Sequence, residues 1–254
     1  MSRSREMIGE ITMLDHASLT SVGQREYNED KIGITDLGED RFCFALADGL
    51  GGPGRGGEAA AVAVQSSGEV FSAFSDKNDV LEMIFEAAQK RVLYEQKARR
   101  VRNTMKTTLS VVTLLGGKLR YGTIGDTRIY IFRDSRLEMM SHDHSVAQAL
   151  ADAGMIKSED IRNHPDRSKL LTCIGEVWDD KPGYEISESI YMCKGMSVLM
   201  CTDGFWGNIH EDMMAQCLWD TDTAAKWLDA MAQIVKQNAS AGDADNYSAI
   251  AIRY

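Results

Sequence analysis

Three times this chain ends an apolar, strand-like run on an aspartate set against glycine. The runs are Phe44-Ala-Leu-Ala-Asp48-Gly49, Tyr121-Gly-Thr-Ile-Gly125-Asp126 and Ser197-Val-Leu-Met-Cys-Thr-Asp203-Gly204. A fourth acid, Asp245, stands just before the closing run Asn246–Tyr254, and Glu29-Asp30 follow the first strand-like segment. A carboxylate at the end of a buried strand is costly unless something positive meets it. No neighbouring run of Lys or Arg supplies that charge, so bound cations are the economical explanation. The fold must therefore bring distant strand ends to one place.

The 254 residues suffice for one large domain or two small ones, and their hydrophobic and charged shares, 44% and 26%, are those of a globular protein. A net charge of −10 argues against nucleic acid as a partner, because phosphate backbones select a basic footprint. Cys43, Cys173, Cys193, Cys201 and Cys217 form no C-x-x-C pair and lie in apolar stretches. They read as small buried hydrophobes in a reducing compartment. Arg3, Arg5, Glu6 and Glu10 leave no apolar core for a secretory signal, and no apolar run approaches the ~20 residues that span a bilayer. These features predict a cytoplasmic protein without membrane insertion.

Periodicity predicts strands at 15–23, 31–36 and 41–48, then helices at 57–74 and 79–100. Strands follow at 107–116, 118–124, 128–133 and 136–140. A short helix from Ser145 to Ala153 ends at Gly154, and an irregular polar stretch runs through Pro165. Strands at 184–192 and 197–202, helices at 210–219 and 222–238 and a last strand complete the chain. Blocks of adjacent strands separated by helix pairs predict antiparallel sheets with helices outside, not a parallel βαβ array.

Gly49-Leu-Gly51-Gly-Pro-Gly54 fits the G-x-G-x-x-G pattern of dinucleotide sites. The element that follows is a second helix rather than the second strand of a βαβ unit, and Asp48 would repel a pyrophosphate. Conformational need explains the glycines but not the aspartate.

Asp48, Asp203 and Asp245 offer oxygen-only ligation, which suits hard cations such as Mg2+ or Mn2+ rather than zinc. Two such ions sharing a carboxylate polarise a water and clamp a phosphoryl group. Arg25, four and five residues before Glu29 and Asp30, has the fork that grips phosphate oxygens in pairs.

The motifs Arg25-x-x-Asn28-Glu29-Asp30, Ala47-Asp48-Gly-Leu-Gly-Gly52, Gly57-Glu-Ala-Ala60, Thr107-Thr108, Gly125-Asp126-Thr-Arg128-Ile-Tyr130, Cys201-Thr-Asp203-Gly204 and Asp245-Asn246 occur in this order. Together they resemble the metal-dependent Ser/Thr protein phosphatases of type 2C, above all the compact bacterial members. The likeness runs from Leu14 to Arg253. It implies an α+β fold, a four-layer α-β-β-α sandwich of two antiparallel sheets flanked by helix pairs. It also implies a single phosphatase domain over residues 1–254 with a small flap subdomain at about 145–175. By position, Asp48 would bridge two Mn2+ or Mg2+ ions and the Gly49 carbonyl would ligate one. Asp203 and Asp245 would complete the other shell, with Glu29 and Asp30 acting directly or through waters. Asp126 with Asp203 would hold a third, weaker ion. Arg25 would bind the substrate phosphate, and a metal-bridging water would attack phosphoserine or phosphothreonine in line.

Leu50 stands where many eukaryotic members carry a proton-donating histidine, which leaves that task to a water on the third ion. The implied partners are phosphorylated proteins, a Ser/Thr kinase among them, with the phosphatase acting as a monomer. Two other readings fit the same residues, a non-catalytic phosphoprotein binder and a two-metal hydrolase of small phosphate esters.

His142 and His144 would share one face of a strand, yet a structural role at the flap entrance is the expected one. Asp152, Arg162, Asp166 and Arg167 read equally as flap charges that contact a phosphopeptide or as solvated loop charges. Lys90, Arg91, Lys97, Arg99, Arg100, Arg102 and Lys106, set against Glu95 alone, read either as a solvated helix face or as an acidic-partner dock.

Overall fold

The computed structural model describes residues 14–51, 54–101, 104–178, 181–239 and 244–254. Gly52, Pro53, Arg102 and the N-terminal charges Arg3, Arg5, Glu6 and Glu10 lie outside the described residues. Two antiparallel sheets face each other. One orders its strands β1 (Asp15–Ser21), β13 (Tyr247–Arg253), β12 (Met196–Cys201), β8 (Arg128–Arg133) and β9 (Arg136–Met140). The other orders β10 (Glu185–Ile186), β7 (Lys118–Ile124), β6 (Leu109–Leu115), β3 (Arg41–Ala47) and β2 (Lys31–Asp36), with β11 (Ile190–Tyr191) also on β7. A separate small pair joins β4 (Gly49–Gly51) to β5 (Met105–Thr107).

Alternation of side chains along each strand builds three cores. In β3, Phe44 and Leu46 point between the sheets while Cys43, Ala45 and Ala47 point outward. In β13, Ile250 and Ile252 point inward while Ala249 and Ala251 point outward. The large residues fill the space between the sheets, and the small outward ones let helices pack close. α1 (Arg55–Phe74) and α2 (Val80–Arg99) cover the β3 sheet through Ala59, Ala60, Ala63, Ile84, Phe85 and Ala88. α5 (Glu211–Trp219) and α6 (Ala224–Asn238) cover the other sheet through Met214, Leu218, Trp227 and Met231. The result is the predicted α-β-β-α layering.

Element ends follow local chemistry. Ser145 caps α3 (Val146–Asp152) by accepting from the Gln148 N–H at 3.2 Å, and Thr223 caps α6 by accepting from Lys226 at 3.2 Å. Three expectations need correction. The strand predicted over 184–192 is broken into two short pieces, because the Ser187 hydroxyl takes the Tyr121 N–H at 2.9 Å and interrupts the ladder. A four-residue helix, α4 (Asp203–Trp206), and the strand β4 were not foreseen. Helix α1 begins at Arg55, ahead of Gly57, because Gly56 packs on the backbone of Gly49. A Cβ on Gly56 would lie 2.4 Å from the Gly49 carbonyl carbon. No described helix is long and apolar enough to cross a membrane.

Candidate active site

Strand register gathers the acids. Cys201 of β12 pairs with Arg128 of β8 and with Ala249 of β13. That places Asp203, just past β12, beside the turn bearing Asp126 and beside Asp245, just ahead of β13. The second sheet contributes Asp48 from the end of β3. Its N–H donates to Thr108 Oγ1 at 2.8 Å, and that hydroxyl meets Thr127 Oγ1 at 2.7 Å. The two hydroxyls tie the Asp48 strand end to the Asp126 turn across the two sheets.

The resulting cleft, about 450 Å³, is lined by Arg25, Glu29, Asp48, Gly49, Asp126, Asp203 and Asp245 among others. Asp30 lies beneath it, 3% exposed, with Oδ2 accepting from the Thr202 hydroxyl at 3.0 Å. Asn246 organises the approach. Its Oδ1 accepts from the Glu29 N–H at 2.8 Å and its amide donates to the carbonyls of Val22 and Tyr27 at 2.8 and 3.0 Å. At the mouth Arg25 binds both oxygens of Asp245, at 3.1 and 3.2 Å.

Burial raises the pKa of Asp48, and the charges of Asp30, Asp203, Asp126 and Asp245 raise it further. Asp126 is raised by burial, then by Asp203 and Asp143. Asp203 is raised by burial and by Asp245, while Arg167 and a hydrogen bond with Asp48 pull it back. Asp30 is pushed up to about 7, chiefly by burial, despite the Ser248 and Thr202 hydroxyls that favour its anion. These carboxylates repel one another, and the cations the chain supplies, Arg25 on Asp245, Arg167 near Asp203 and Arg128 near Asp126, offset that repulsion only in part.

Divalent cations fit this donor set. Asp30 Oδ1 is buried without a hydrogen-bond partner, and the groups around it are hard oxygen donors. Among the described residues no three His, Cys, Asp or Glu side chains form a closed metal cage by themselves. The physical reason is visible in the tethers, since Arg25 holds the Asp245 carboxylate and Thr202 holds that of Asp30.

A pH dependence follows for the protein held in chelator. An unfolded aspartate titrates near 3.9. Folded Asp30 keeps its proton up to about 7, so the folded state binds more protons across that window. Stability must then fall as pH rises from about 5 to 7.5, and Mn2+ should flatten the slope. Thermal melts with and without Mn2+ check this; a melting temperature that rises over that range in chelator would contradict it.

The other candidate residues are held by neighbours in the fold, and for His142 and His144 this accords with the structural role expected of them. His142 pairs with Asp152 at 3.0 Å, and His144 Nδ1 accepts from the Gly125 N–H at 3.1 Å, so the two rings do not converge. Within residues 145–175, Arg162 donates to the Ile209 carbonyl at 3.0 Å and to Glu211 at 2.7 Å, Arg167 donates to the Arg162 carbonyl, and Asp166 pairs with Lys169. The residue of this stretch that does line the cleft is Ser168, which nothing in the sequence distinguished. Glu26, Tyr27 and Leu50 also line it.

The basic run is largely neutralised. Lys90 pairs with Glu86, Arg91 with Glu69, Arg99 with Glu58 and Glu95, and Lys106 with Glu176. Four cysteines are buried, whereas Cys193 is half-buried beside Arg133, and all five are free thiols.

The protein phosphatase 2C family model matches residues 21–245. The serine/threonine phosphatase stp of Listeria monocytogenes serotype 4b is 25% identical over 239 residues, 90% of each chain. Protein phosphatase PhpP of Streptococcus pneumoniae serotype 2 is 27% identical over 191 residues, 73% of this chain and 76% of that one. The crystal structure of the PPM Ser-Thr phosphatase MsPP from Mycobacterium smegmatis, in complex with cacodylate, superposes with a TM-score of 0.78 at 26% identity. It covers 94% of this chain and 97% of the other. The catalytic domain of PstP, solved with two manganese ions, shares the fold with a TM-score of 0.78 at 21% identity, covering 94% and 97% of the two chains.

Proposed function

Since the chain belongs to the protein phosphatase 2C family and is a metal-dependent protein Ser/Thr phosphatase, we propose how its own residues carry out that reaction. The observation that carries the reading is the shared cleft, where Asp48, Asp126, Asp203 and Asp245 meet Arg25 and Asp30 lies buried beneath them. Asp48, the Gly49 carbonyl, Asp203 and Asp245 are the holders of two cations, Mn2+ or Mg2+. Glu29 and Asp30 support them directly or through water. Asp126, with Asp203, serves a third. Bound there, such cations lower the pKa of water and neutralise phosphoryl oxygens.

The remaining tasks fall to the chain. A phosphate offers Arg25 the same two-oxygen edge that Asp245 now offers, so that carboxylate preorganises the guanidinium for the substrate. Leu50 faces the cleft with no exchangeable proton, so the serine or threonine alkoxide leaves by taking a proton from water. Residues 145–175 act as a flap beside the cleft, reaching it through Ser168, within a single catalytic domain. A monomer acting on a Ser/Thr kinase and its phosphorylated substrates is the simplest assembly. Five free thiols support a reducing, cytoplasmic setting.

Hydrolysis of a small aryl phosphate and of a phosphothreonine peptide should require Mn2+ or Mg2+ and stop with chelator. Arg25→Ala should raise the peptide KM about 10- to 100-fold, the worth of a charge-assisted bidentate contact, with a smaller change in kcat. Metal-independent turnover, or a KM unmoved by Arg25→Ala, would overturn these assignments. Preference for phosphorylated metabolites over phosphopeptides would favour the small-ester reading instead.

A further inference from the structure

Helix α2 buries two glutamines, Gln89 and Gln96, 6% and 4% exposed, against the stretch by which the chain leaves the flap. The Gln96 amide donates to the carbonyls of Met105 and Gly175, both at 2.7 Å. Gln89 accepts from the Gly175 N–H at 2.7 Å and donates to the Glu176 carbonyl. Between these anchors Ile174 and Thr107 exchange backbone hydrogen bonds of 2.9 and 3.1 Å. Gly175 has φ +89°, and a Cβ there would lie 2.6 Å from the Met105 oxygen and 2.8 Å from the Gln96 amide nitrogen. The flap's return, β5 and α2 are thus packed backbone to side chain with no room for a substituent.

β5 in turn holds the acidic loop. Thr107 pairs with Gly49 in the small β4–β5 ladder. The Thr107 hydroxyl and the Thr108 N–H both donate to the Asp48 carbonyl, at 2.8 and 2.9 Å. Hydrogen bonds joined by short stretches of backbone therefore run from Gln96 through Met105, and from both glutamines through Gly175 and Ile174, to Thr107 and Thr108 and on to Asp48 and Gly49. Buried amides are retained at a cost unless they are fully satisfied, and here their bonds go to the backbone of two different functional segments.

We propose that Gln89 and Gln96 are positioning residues. They set the backbone of Asp48 and Gly49 for cation binding and couple that loop to the segment by which the chain leaves the flap. The inference rests on the assignment of Asp48 and Gly49 as cation holders.

Gln96→Met keeps the volume and removes both donated bonds. Mn2+ affinity, measured by calorimetry on the folded full chain, should fall about tenfold or more, the usual effect of losing the support behind a ligand. Ile84→Ala, which empties core on the same helix without touching these bonds, should leave Mn2+ affinity within about twofold of the parent protein even where its melting temperature falls further. If Gln96→Met does not fold, Gln89→Met carries the same expectation, since it strands the Gly175 N–H and the Glu176 carbonyl instead.

Parent-like Mn2+ affinity in the glutamine variant, or an equal loss in Ile84→Ala, would overturn the proposal. Asp48→Asn separates it from the site assignment. If Asp48→Asn binds Mn2+ like the parent, the assignment of the holders fails. If it loses Mn2+ while Gln96→Met retains it, only the glutamine coupling fails.

Discussion

Replacing Asp48 by asparagine should lower phosphatase activity by at least about 10³-fold while making the chelated protein more stable. Both effects come from the same charge. Asp48 sits at the floor of a cleft where burial and four neighbouring aspartates oppose its ionisation. Removing one oxygen charge from that set deprives the cations of a shared holder and so removes their Lewis-acid assistance to the reaction. It also relieves desolvation and repulsion that the folded chain must otherwise carry.

Thermal melts should therefore cross over. In chelator the variant melts above the parent; with Mn2+ the parent gains stability and the variant does not. A ligand at 100 times its Kd adds about 2.7 kcal/mol to the form that binds it, and at this chain length each kcal/mol moves the midpoint roughly 2–4 °C. A protein that only bound phosphoproteins would have no cause to keep such a strained set. An Asp48→Asn variant that melts below the parent in chelator and still responds to Mn2+ would refute the account.

The acids were legible because their signal is local. Asp48, Asp126 and Asp203 each sit at the end of an apolar run, and strand ends can be placed from alternation alone. The layers were legible only in outline: blocks of strands and helix pairs predicted antiparallel sheets with helices outside, and the four-layer order came from the family resemblance. The structure shows its basis in Ala249-Ile250-Ala251-Ile252, whose small residues meet the helices and whose large ones meet the facing sheet.

What stayed hidden depends on contacts between segments far apart in the chain. Ser168 looks like any polar loop residue until the flap brings it to the cleft. Gln96 is an ordinary helix former until Met105 and Gly175 present carbonyls to it. The basic run on α2 looked uncompensated because two of the acids that meet it, Glu58 and Glu69, lie on the other helix. Ser187 broke a predicted strand through a hydroxyl bond to Tyr121, which no propensity reports. In each case at least one deciding partner lies more than twenty residues away.

The largest stability loss should come from Asp143→Ala, a residue that donates nothing to the cleft directly. Asp143 holds Arg128 by three bonds, at 2.9, 3.2 and 2.8 Å, and each residue is 4% exposed. The guanidinium lies 3.6 Å from the centre of the Trp206 ring, and the Trp206 indole donates to the Asp126 carbonyl at 2.9 Å. Removing the carboxylate leaves a buried cation half-paired, with Glu211 at 3.8 Å as its nearest remaining anion and Arg162 already drawing on that same carboxylate.

Breaking a buried pair in this way costs about 3–5 kcal/mol, roughly 10 °C in melting temperature at this size. Swapping both partners, Arg128→Met with Asp143→Leu, removes the stranded charge along with the pair and should recover most of the loss. Such a rescue would show that the pair adds little net stability and that the loss in Asp143→Ala comes from the stranded charge. If Asp143→Ala melts within a degree of the parent, water reaches Arg128 and the pair is not sealed. If the double variant stays as unstable as the single one, packing rather than charge holds this corner, and the stacked ring is then the element to test.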